Sequence, residues 1–170
     1  FKPSNNSGNV SYSSAKEISS DEEISNENFE STVKDQNAIS VTNADVTLSN
    51  VKVNKTGDSD GGDNTSFYGT NSAIIAKDGA NLLIENADIK TSATGANGVF
   101  SYGGSATTNN ESSDGTTVTI KDSTITTTKD NSGGIMTTGG GIMNAYNLNI
   151  TTSGTSSAAI RTDRGGGTVT

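Results

Sequence analysis

The chain has neither cysteine nor histidine among its 170 residues. The absence of cysteine excludes disulfides and thiol nucleophiles, and the absence of both residues excludes the usual zinc sites and histidine-based acid–base catalysis. Hydrophobic residues are scarce at 29%, and aromatic residues account for only 5%. No stretch approaches the ~20 apolar residues of a membrane-spanning helix. Composition alone therefore favours a disordered chain over one with a large core.

Positive charge is also in short supply. Lysine and arginine number 11 against 19 aspartate and glutamate residues, which gives a net charge of −8 and an isoelectric point near 4.4. Nucleic acids and anionic membrane surfaces are bound through basic patches, so the sequence predicts neither as a partner. An acidic chain that is low in lysine and rich in threonine, serine, asparagine and glycine is typical of secreted or cell-surface bacterial proteins.

What the chain does contain is an internal repeat. Five short segments align with one another, and the spacing between them is about 25 residues, lengthened by about 10 in two places. The segments are 37–41, 72–76, 97–101, 133–137 and 157–162. A second set of alternating apolar residues runs between them and passes through Val46, Leu82, Val118 and Met143. Such a repeat indicates stacked units, and a stack needs only a thin core because each unit buries its inward residues against its neighbours.

The pattern within each repeat predicts three short strands separated by glycine-rich corners. Alternation of apolar and polar residues requires one buried and one exposed face. Strands this short are stable only when they stack in parallel along an axis. The sequence therefore predicts an all-β fold, a right-handed parallel β-helix (a solenoid) of about four to five coils with about 25 residues per coil. Two loop insertions, at 54–70 and 103–116, interrupt it.

One bend position carries asparagine or aspartate in four successive repeats. The residues are Asn50, Asn86, Asp122 and Asn147. Both residue types tolerate a left-handed backbone and form hydrogen bonds through their side chains. We therefore expect a left-handed conformation at each bend and a ladder of side-chain hydrogen bonds from one coil to the next.

The two ends of the chain depart from the repeat. Residues 1–35 lack its clean pattern and are predicted to form an N-terminal cap or an irregular first coil, whereas 36–170 form the β-helix. Within the first segment, 29–32 aligns with 53–56, but 20–23 could instead begin a short helix. The sequence stops inside a predicted strand. We therefore expect a β-helix truncated within a coil, whose uncapped C-terminal coil is open to association with another chain.

Two segments near the C-terminus resemble a known family. Residues 131–141 and 156–169 are similar to β-helical adhesin-like surface proteins of gut Firmicutes and related anaerobes, and the resemblance covers roughly residues 36–170. Its most specific part is the stretch 161–167, Arg-Thr-Asp-Arg-Gly-Gly-Gly. The resemblance implies an extracellular location and an adhesive role.

The first strand of each repeat carries an outward column of residues beside its inward one. If Ile39 and its equivalents point inward, alternation turns the next residues outward: Ser40, Ile75, Phe100, Met136 and Arg161. Three of these would form an apolar stripe, and an apolar stripe on a solenoid face indicates that something covers it. The cover could be the insertion 54–70, through Phe67 and Tyr68, or it could be a ligand such as a glycan.

The predicted ligand contacts lie on this outward column, on the column beside it and at the following corner. They are Phe100, Tyr102, Met136, Arg161, Asp163 and Arg164. The corner 161–164 places two guanidinium groups beside a carboxylate. Guanidinium groups bind carboxylates bidentately, so this corner could hold uronates, or its residues could form a salt bridge that fixes the turn.

The insertion 54–70 carries a candidate calcium site. Asp58, Asp60 and Asp63 bring three carboxylates to a turn-forming loop, and Ca²⁺ takes about six to eight oxygen ligands from such flexible acidic loops. The pattern departs from the EF-hand loop, because Gly61 comes too early and no glutamate follows nearby. Calcium is therefore a candidate cofactor, and a solvated acidic turn is the alternative.

Together these features predict a non-enzymatic, extracellular adhesin-like domain. Its partners would be host or environmental glycans or surface proteins, either bound directly or met by binding regions that a rigid stalk presents. Two alternatives remain open. The first is a polysaccharide-active enzyme, a calcium-dependent lyase or a glycosidase, to which the insertion 103–116 would add Glu111 and Asp114. The second is a structural spacer or assembly module that uses the uncapped C-terminal coil.

Overall fold

The structure, a computed structural model, describes residues 10–104 and 113–170, and this part of the chain is all-β with parallel sheets. In chain order the strands are β1 (Ser14–Ile18), β2 (Glu22–Ser25), β3 (Asn28–Ser31), β4 (Asn37–Thr42), β5 (Asp45–Ser49), β6 (Lys52–Lys55), β7 (Ile74–Lys77), β8 (Asn81–Glu85), β9 (Asp88–Thr91), β10 (Val99–Tyr102), β11 (Thr117–Thr127), β12 (Ile135–Thr138), β13 (Gly141–Thr152), β14 (Ile160–Thr162) and β15 (Gly167–Val169). A six-residue helix, α1 (Asp63–Tyr68), lies between β6 and β7. Within these two described ranges, no helix has the length and apolar character required to cross a membrane.

The strands form two parallel sheets. Sheet A has the order β1-β4-β7-β10-β12-β14, so each strand lies beside the equivalent strand of the next repeat. Sheet B contains two rows, β2-β5-β8 and β3-β6-β9, which meet at the long strand β11. β13 pairs with β11, and β15 pairs with β13. Neighbouring strands in both sheets are thus one repeat apart, as the predicted parallel stacking requires.

The register of both sheets is the one read from the sequence. In sheet A, each inward residue of the aligned segments lies opposite its equivalent in the next repeat: Ile39, Ile74, Val99, Ile135 and Ile160. The second ladder pairs in the same way: Val46, Leu82, Val118 and Met143. Equivalent apolar side chains therefore stack on one another, and a chain with few apolar residues fills one continuous main core between the sheets.

The N-terminal segment also forms strands that continue this stacking. β1, β2 and β3 pair with β4, β5 and β6, and Phe29 lies opposite Val53 as the alignment predicts. The alternative in which 20–23 begin a helix is wrong, because Glu22–Ser25 is a strand. Ile24 is buried there while its neighbours are exposed, which is the alternation of a strand rather than the period of a helix.

The bends adopt the predicted left-handed backbone. The dihedral angle φ is 52° at Asn50, 50° at Asn86, 52° at Asp122 and 51° at Asn147. Asn26, at the same register in the first repeat, has φ of 60°. The side-chain amide of Asn147 donates a hydrogen bond of 2.7 Å to the carboxylate of Asp122, which forms one step of the predicted ladder.

Candidate functional site

The apolar stripe predicted on sheet A is present, and it is buried. Ile75, Phe100 and Met136 are 0%, 0% and 2% exposed and form a cluster separate from the main core. Tyr68 of α1 and Tyr102 of β10 complete this group, which is termed the covered cluster. The prediction that the stripe turns away from the main core is confirmed. So is the prediction that the insertion containing α1 covers it.

Burial removes three of the predicted ligand contacts from the surface. Phe100 and Met136 have almost no exposed surface, and Tyr102 is only 7% exposed. A ligand cannot touch side chains that the protein's own insertion already covers. The interpretation of the stripe as an open ligand surface is therefore wrong, because alternation determines which way a side chain points but not what packs against it.

A few specific contacts hold α1 against sheet A. Tyr12 donates its hydroxyl proton to the carbonyl oxygen of Tyr68 at 2.6 Å, and the Thr138 hydroxyl donates to the carbonyl oxygen of Phe67 at 2.6 Å. The rings of Tyr68 and Tyr102 meet edge to face, with their centres 5.5 Å apart. A helix of this length is not stable by itself in water, so these tertiary contacts decide where it lies.

The helix ends at a glycine that the geometry requires. Gly69 has φ of 74°, in the left-handed region, and its carbonyl oxygen accepts a hydrogen bond of 2.9 Å from the side-chain amide of Asn37. A Cβ atom at this position would lie 2.7 Å from Cγ of Phe100 and 2.9 Å from Cδ1 of Ile75. Glycine allows both the left-handed turn and the close approach to the covered cluster.

Tyr12 stands in an environment that keeps its phenol protonated. Burial raises the pKa of Tyr12 far above its usual range, and Tyr102 and the carboxylate of Asp78 act in the same direction. The ammonium group of Lys77 lies 4.8 Å from the centre of the Tyr12 ring. Tyr12 therefore keeps its hydrogen bond to the end of α1 at a pH where an exposed tyrosine ionises.

The predicted residues Arg161, Asp163 and Arg164 do lie together, in β14 and at the corner that follows it. Arg161 forms an ion pair with Asp163, whose carboxylate also accepts a hydrogen bond of 2.8 Å from the backbone N–H of Arg164. The Arg164 guanidinium lies 4.1 Å from the centre of the Phe67 ring and 3.8 Å from the carboxylate of Asp63. The salt bridge predicted at the corner is therefore present, and Arg164 adds contacts between this corner and α1. Uronate binding by the partly exposed guanidinium groups stays a prediction.

The predicted calcium ligands are directed to three different partners. Asp58 accepts a hydrogen bond of 2.9 Å from the backbone N–H of Thr94, and Asp63 faces the guanidinium described above. Asp60 pairs with Lys34, whose hydrogen bond lowers the pKa of the Asp60 carboxyl. Over 10–104 and 113–170, no three acidic side chains are grouped in a way that could hold a metal ion. The structure does not bring these ligands together, and calcium binding stays a prediction.

Aspartates at other corners form the same kind of bond as Asp58. Their carboxylate oxygens accept the backbone N–H of a residue in the following repeat, at 2.8 to 3.1 Å. The acceptors are Asp21, Asp35 and Asp130, and the donors are Asp45, Asp60 and Thr155. A hydrogen bond to a charged acceptor is stronger than one between neutral groups. These four aspartates therefore join one repeat to the next.

The second insertion includes the two carboxylates predicted for an enzyme. Glu111 lies outside the described residues, which resume at Ser113. Asp114 accepts hydrogen bonds from the backbone N–H and the hydroxyl of Thr116, at 2.9 and 2.6 Å. This carboxylate is used within its own turn, and a catalytic role for it stays a prediction.

Lys55 is a buried cation that sequence reasoning missed. It has no exposed surface, and its ammonium group donates to the carbonyl oxygens of Val33, Thr56 and Gly57 at 2.8, 2.6 and 3.2 Å. Desolvation lowers the pKa of Lys55 to about 8. The alignment of the repeats could have predicted this burial, because Lys55 pairs with Thr91 at a position where side chains point inward. The three bonds attach the base of the first insertion to the stack.

The outer face of sheet B carries an exposed aromatic ring. Tyr146 is 54% exposed and ends an outward column that the register builds from Ser49, Glu85 and Lys121. Glu85 and Lys121 form an ion pair of 3.2 Å within this column. Asn144 lies two residues before Tyr146 in β13 and therefore on the same face. Sequence reasoning missed Tyr146 as well, although strict alternation along β13 places it outward.

Comparison with protein-family models, with curated proteins and with solved structures gives no match for this chain. Function is therefore inferred from the geometry and chemistry of the residues described above. Two surfaces remain accessible among the sites considered: the Tyr146 face of sheet B and the Arg161 corner of sheet A.

Proposed function

We propose that the chain is a right-handed parallel β-helix with about 25 residues per coil, and that it belongs to an extracellular adhesin-like surface protein. The support comes from the strand order of sheet A, in which every neighbour is one repeat away. The similarity of 131–141 and 156–169 to adhesin-like proteins supports the location. Stacked strands lie about 4.8 Å apart, so equivalent side chains form rows along the axis of the stack.

The function proposed for this module is to bind glycans, without enzymatic chemistry, on the outer face of sheet B. The observation that carries it is the exposed ring of Tyr146, which stands among polar side chains on a face made of strands. The apolar C–H face of a sugar packs against an aromatic ring, while neighbouring donors and acceptors bond its hydroxyl groups. Asn144, Asn147 and Lys121 supply such donors and acceptors beside Tyr146.

The charges elsewhere on the outer face of sheet B indicate which glycans could bind there. A groove of about 480 Å³ crosses β2, β5 and β8 on sheet B. Its lining includes four carboxylates: Asp21, Glu22, Glu23 and Asp45. Carboxylates accept hydrogen bonds from sugar hydroxyls but repel anionic sugars. A glycan that lies along the stack from Tyr146 towards this groove is therefore neutral rather than acidic.

The enzyme alternative has less support from the geometry. On sheet A, α1 lies on the face where a cleft beside Arg161 would have to open. Asp163 and Asp114, the carboxylates that such an enzyme would use, each bond to groups within two residues in the sequence. These arrangements favour a structural use of the acidic side chains over general acid–base chemistry.

A glycan array tests the proposal. We expect the chain to bind neutral glycans, Tyr146→Ala to lose about tenfold or more in affinity, and Tyr146→Phe to keep most of it because the ring is retained. Arg161→Ala is the matched control, since it removes an exposed side chain from the other sheet. The array is read with calcium and again with a chelator.

Three other outcomes would place the glycan site elsewhere or exclude it. Binding of acidic glycans that is lost in Arg161→Ala but kept in Tyr146→Ala moves the site to the corner of sheet A. Binding that a chelator removes restores the calcium site at Asp58, Asp60 and Asp63. No binding under either condition overturns glycan recognition by this chain and leaves the stalk or spacer role.

A further inference from the structure

The bends that join the two rows of strands in sheet B carry a line of exposed polar side chains. This line, termed the bend row, consists of Asn50, Asn86, Asp122 and Asn147. The strands on both sides of each bend pair in register, so the four residues follow one another from repeat to repeat, about 4.8 Å apart. Because φ lies between 50° and 52° at all four positions, the backbone directs the four side chains in the same way.

The left-handed backbone does not by itself require these side chains. Glycine adopts the same conformation without strain, and it does so at other turns of this chain. Gly79 and Gly139, for example, have φ of 81° and 62°. None of the four positions in the bend row is glycine. The residues present are those that add hydrogen-bonding groups at the surface, which indicates that the side chains themselves are used.

Half of the bend row has hydrogen-bonding groups that the protein leaves free. The side-chain amide of Asn147 donates a hydrogen bond of 2.7 Å to Asp122. Across residues 10–104 and 113–170, however, the side chains of Asn50 and Asn86 have no hydrogen-bond partner. Each free amide offers two N–H donors and one carbonyl acceptor. Neighbouring hydroxyl groups of a sugar, which both donate and accept, match this set.

A groove of about 360 Å³ follows the bend row. Its lining includes three members of the row and two charged residues beside them: Asn50, Asn86, Asp122, Lys52 and Asp88. The exposed ring of Tyr146 immediately precedes Asn147 in β13, so it lies beside the last member of the row. The aromatic ring and the free amides are thus placed along one line on the outside of the stack.

We propose that the bend row extends the glycan site and that its ligand is a neutral, linear glycan in an extended conformation, with one sugar at each repeat. This inference rests on the proposed glycan binding at Tyr146. The length of one pyranose in an equatorially linked chain is close to the spacing between strands. A first sugar on Tyr146 and Asn147 therefore brings the second to Asp122, the third to Asn86 and the fourth to Asn50. A helical glycan leaves this line after one or two sugars.

Calorimetric titration with oligosaccharides of increasing length tests the proposal. The probes are cello-, xylo- and manno-oligosaccharides of two to six sugars, whose chains are extended, and malto-oligosaccharides, whose chain is helical. We expect the affinity for one of the extended series to rise about threefold with each sugar up to the tetrasaccharide and then to level off. The malto-oligosaccharides should gain nothing beyond the disaccharide.

Substitution by glycine separates the role of the amide from that of the backbone. Asn86→Gly retains the left-handed bend and removes the amide. We expect it to lower the affinity for the tetrasaccharide about fivefold and to leave that for the disaccharide unchanged, because a disaccharide ends at Asp122. Asn43→Gly is the matched control, since Asn43 is exposed with φ of 47° at the bend between β4 and β5, outside the row. Urea denaturation checks that both variants fold.

The length series distinguishes failure of this inference from failure of glycan binding. Binding that requires Tyr146 but has equal affinity for disaccharide and tetrasaccharide overturns the extended site and leaves the site at Tyr146. Binding of the tetrasaccharide that Asn86→Gly does not weaken has the same consequence. A wild-type chain that binds none of these oligosaccharides overturns both.

Discussion

The two apolar clusters of this protein lie on opposite faces of one sheet and are built in different ways. The main core is repeated, because each sequence repeat adds an equivalent set of side chains such as Ile39, Ile74 and Val99 in direct register. The covered cluster is closed by one segment that occurs once in the chain, α1 with its flanking turns. Tyr12 and Thr138 hold that segment through single hydrogen bonds.

A single inserted segment can thus give a repeat protein a second core. In the main core, a side chain packs against its equivalents in the repeats before and after it, so the loss of one destabilises the neighbouring repeats as well. The covered cluster is closed by α1 and its flanking turns, termed the lid, whose attachments are local, so we expect the lid to open at a lower free-energy cost than the stack. Loss of a main-core side chain should then affect folding of the whole chain, and loss of a covered-cluster side chain should affect mainly the lid.

Two adjacent residues of β7 provide the sharpest test of this contrast. Ile74 lies in the main core and Ile75 in the covered cluster, and both are fully buried. We expect Ile74→Ala to lower the free energy of unfolding by about 3–5 kcal/mol and Ile75→Ala to lower it by about 2–3 kcal/mol, because the lid relaxes around the smaller side chain. Urea denaturation of both variants measures the difference.

Hydrogen exchange then shows which residues lose stability in each variant. Ile74→Ala should reduce protection in the neighbouring strands β4 and β10, whereas Ile75→Ala should reduce it mainly in residues 63–69. Equal loss of protection over the whole stack in both variants would show that the two clusters unfold as one unit. The lid would then not be a separate unfolding unit.

A pair of glycines separates contact with the covered cluster from backbone strain. Gly69 and Gly61 have φ of 74° and 80°, but an added Cβ meets Phe100 and Ile75 at the first position and open space at the second. We expect Gly69→Ala to cost about 3 kcal/mol and Gly61→Ala about 1 kcal/mol, measured by thermal or urea unfolding. Similar losses in the two variants would mean that the lid moves aside easily and that only strain is being measured.

The sequence predicts the repeated part of this structure better than the segments that occur only once. The spacing between repeats predicts the register of sheet A residue by residue, because every repeat gives independent evidence for the same pairing. The left-handed bends at Asn50 and Asn86 are predicted for the same reason. The alternation of inward and outward residues along a strand also predicts that Lys55 points inward and that Tyr146 points outward, since both lie in strands whose neighbours are already aligned.

The insertions are where sequence reasoning stops. α1 has no side-chain hydrogen bond at its N-terminus and only six residues, so Asp63 in its first turn and Gly69 at its end are weak signals that also fit a turn. The spacing of Asp58, Asp60 and Asp63 suggests one shared ligand, but the fold directs them to Thr94, Lys34 and Arg164. Those partners come from other repeats, and a segment that occurs only once has no equivalent in the sequence from which its contacts can be predicted.

A further expected effect is a pH dependence of stability that originates at Lys55, at the base of the first insertion. Lys55 has a pKa of about 8 in the folded chain against 10.5 for the unperturbed side chain. Between these values the unfolded state holds more protons than the folded state, so the free energy of unfolding rises with pH. Raising the pH from about 7 to about 9.5 should add about 2 kcal/mol, measured by urea denaturation at each pH.

Tyr12 should set the upper limit of that rise. Its pKa is raised in the folded chain, so above the pKa of an unfolded tyrosine the folded state holds the extra proton and stability falls as the pH increases further. Lys55→Met should abolish the rise, and Tyr12→Phe should abolish the fall. A wild-type profile that stays flat over the first interval would mean that Lys55 is hydrated and titrates normally. A rise that Lys55→Met abolishes and a fall that Tyr12→Phe abolishes would show that titratable groups help to attach the segment around α1 to the stack, in contrast to the apolar contacts within the main core.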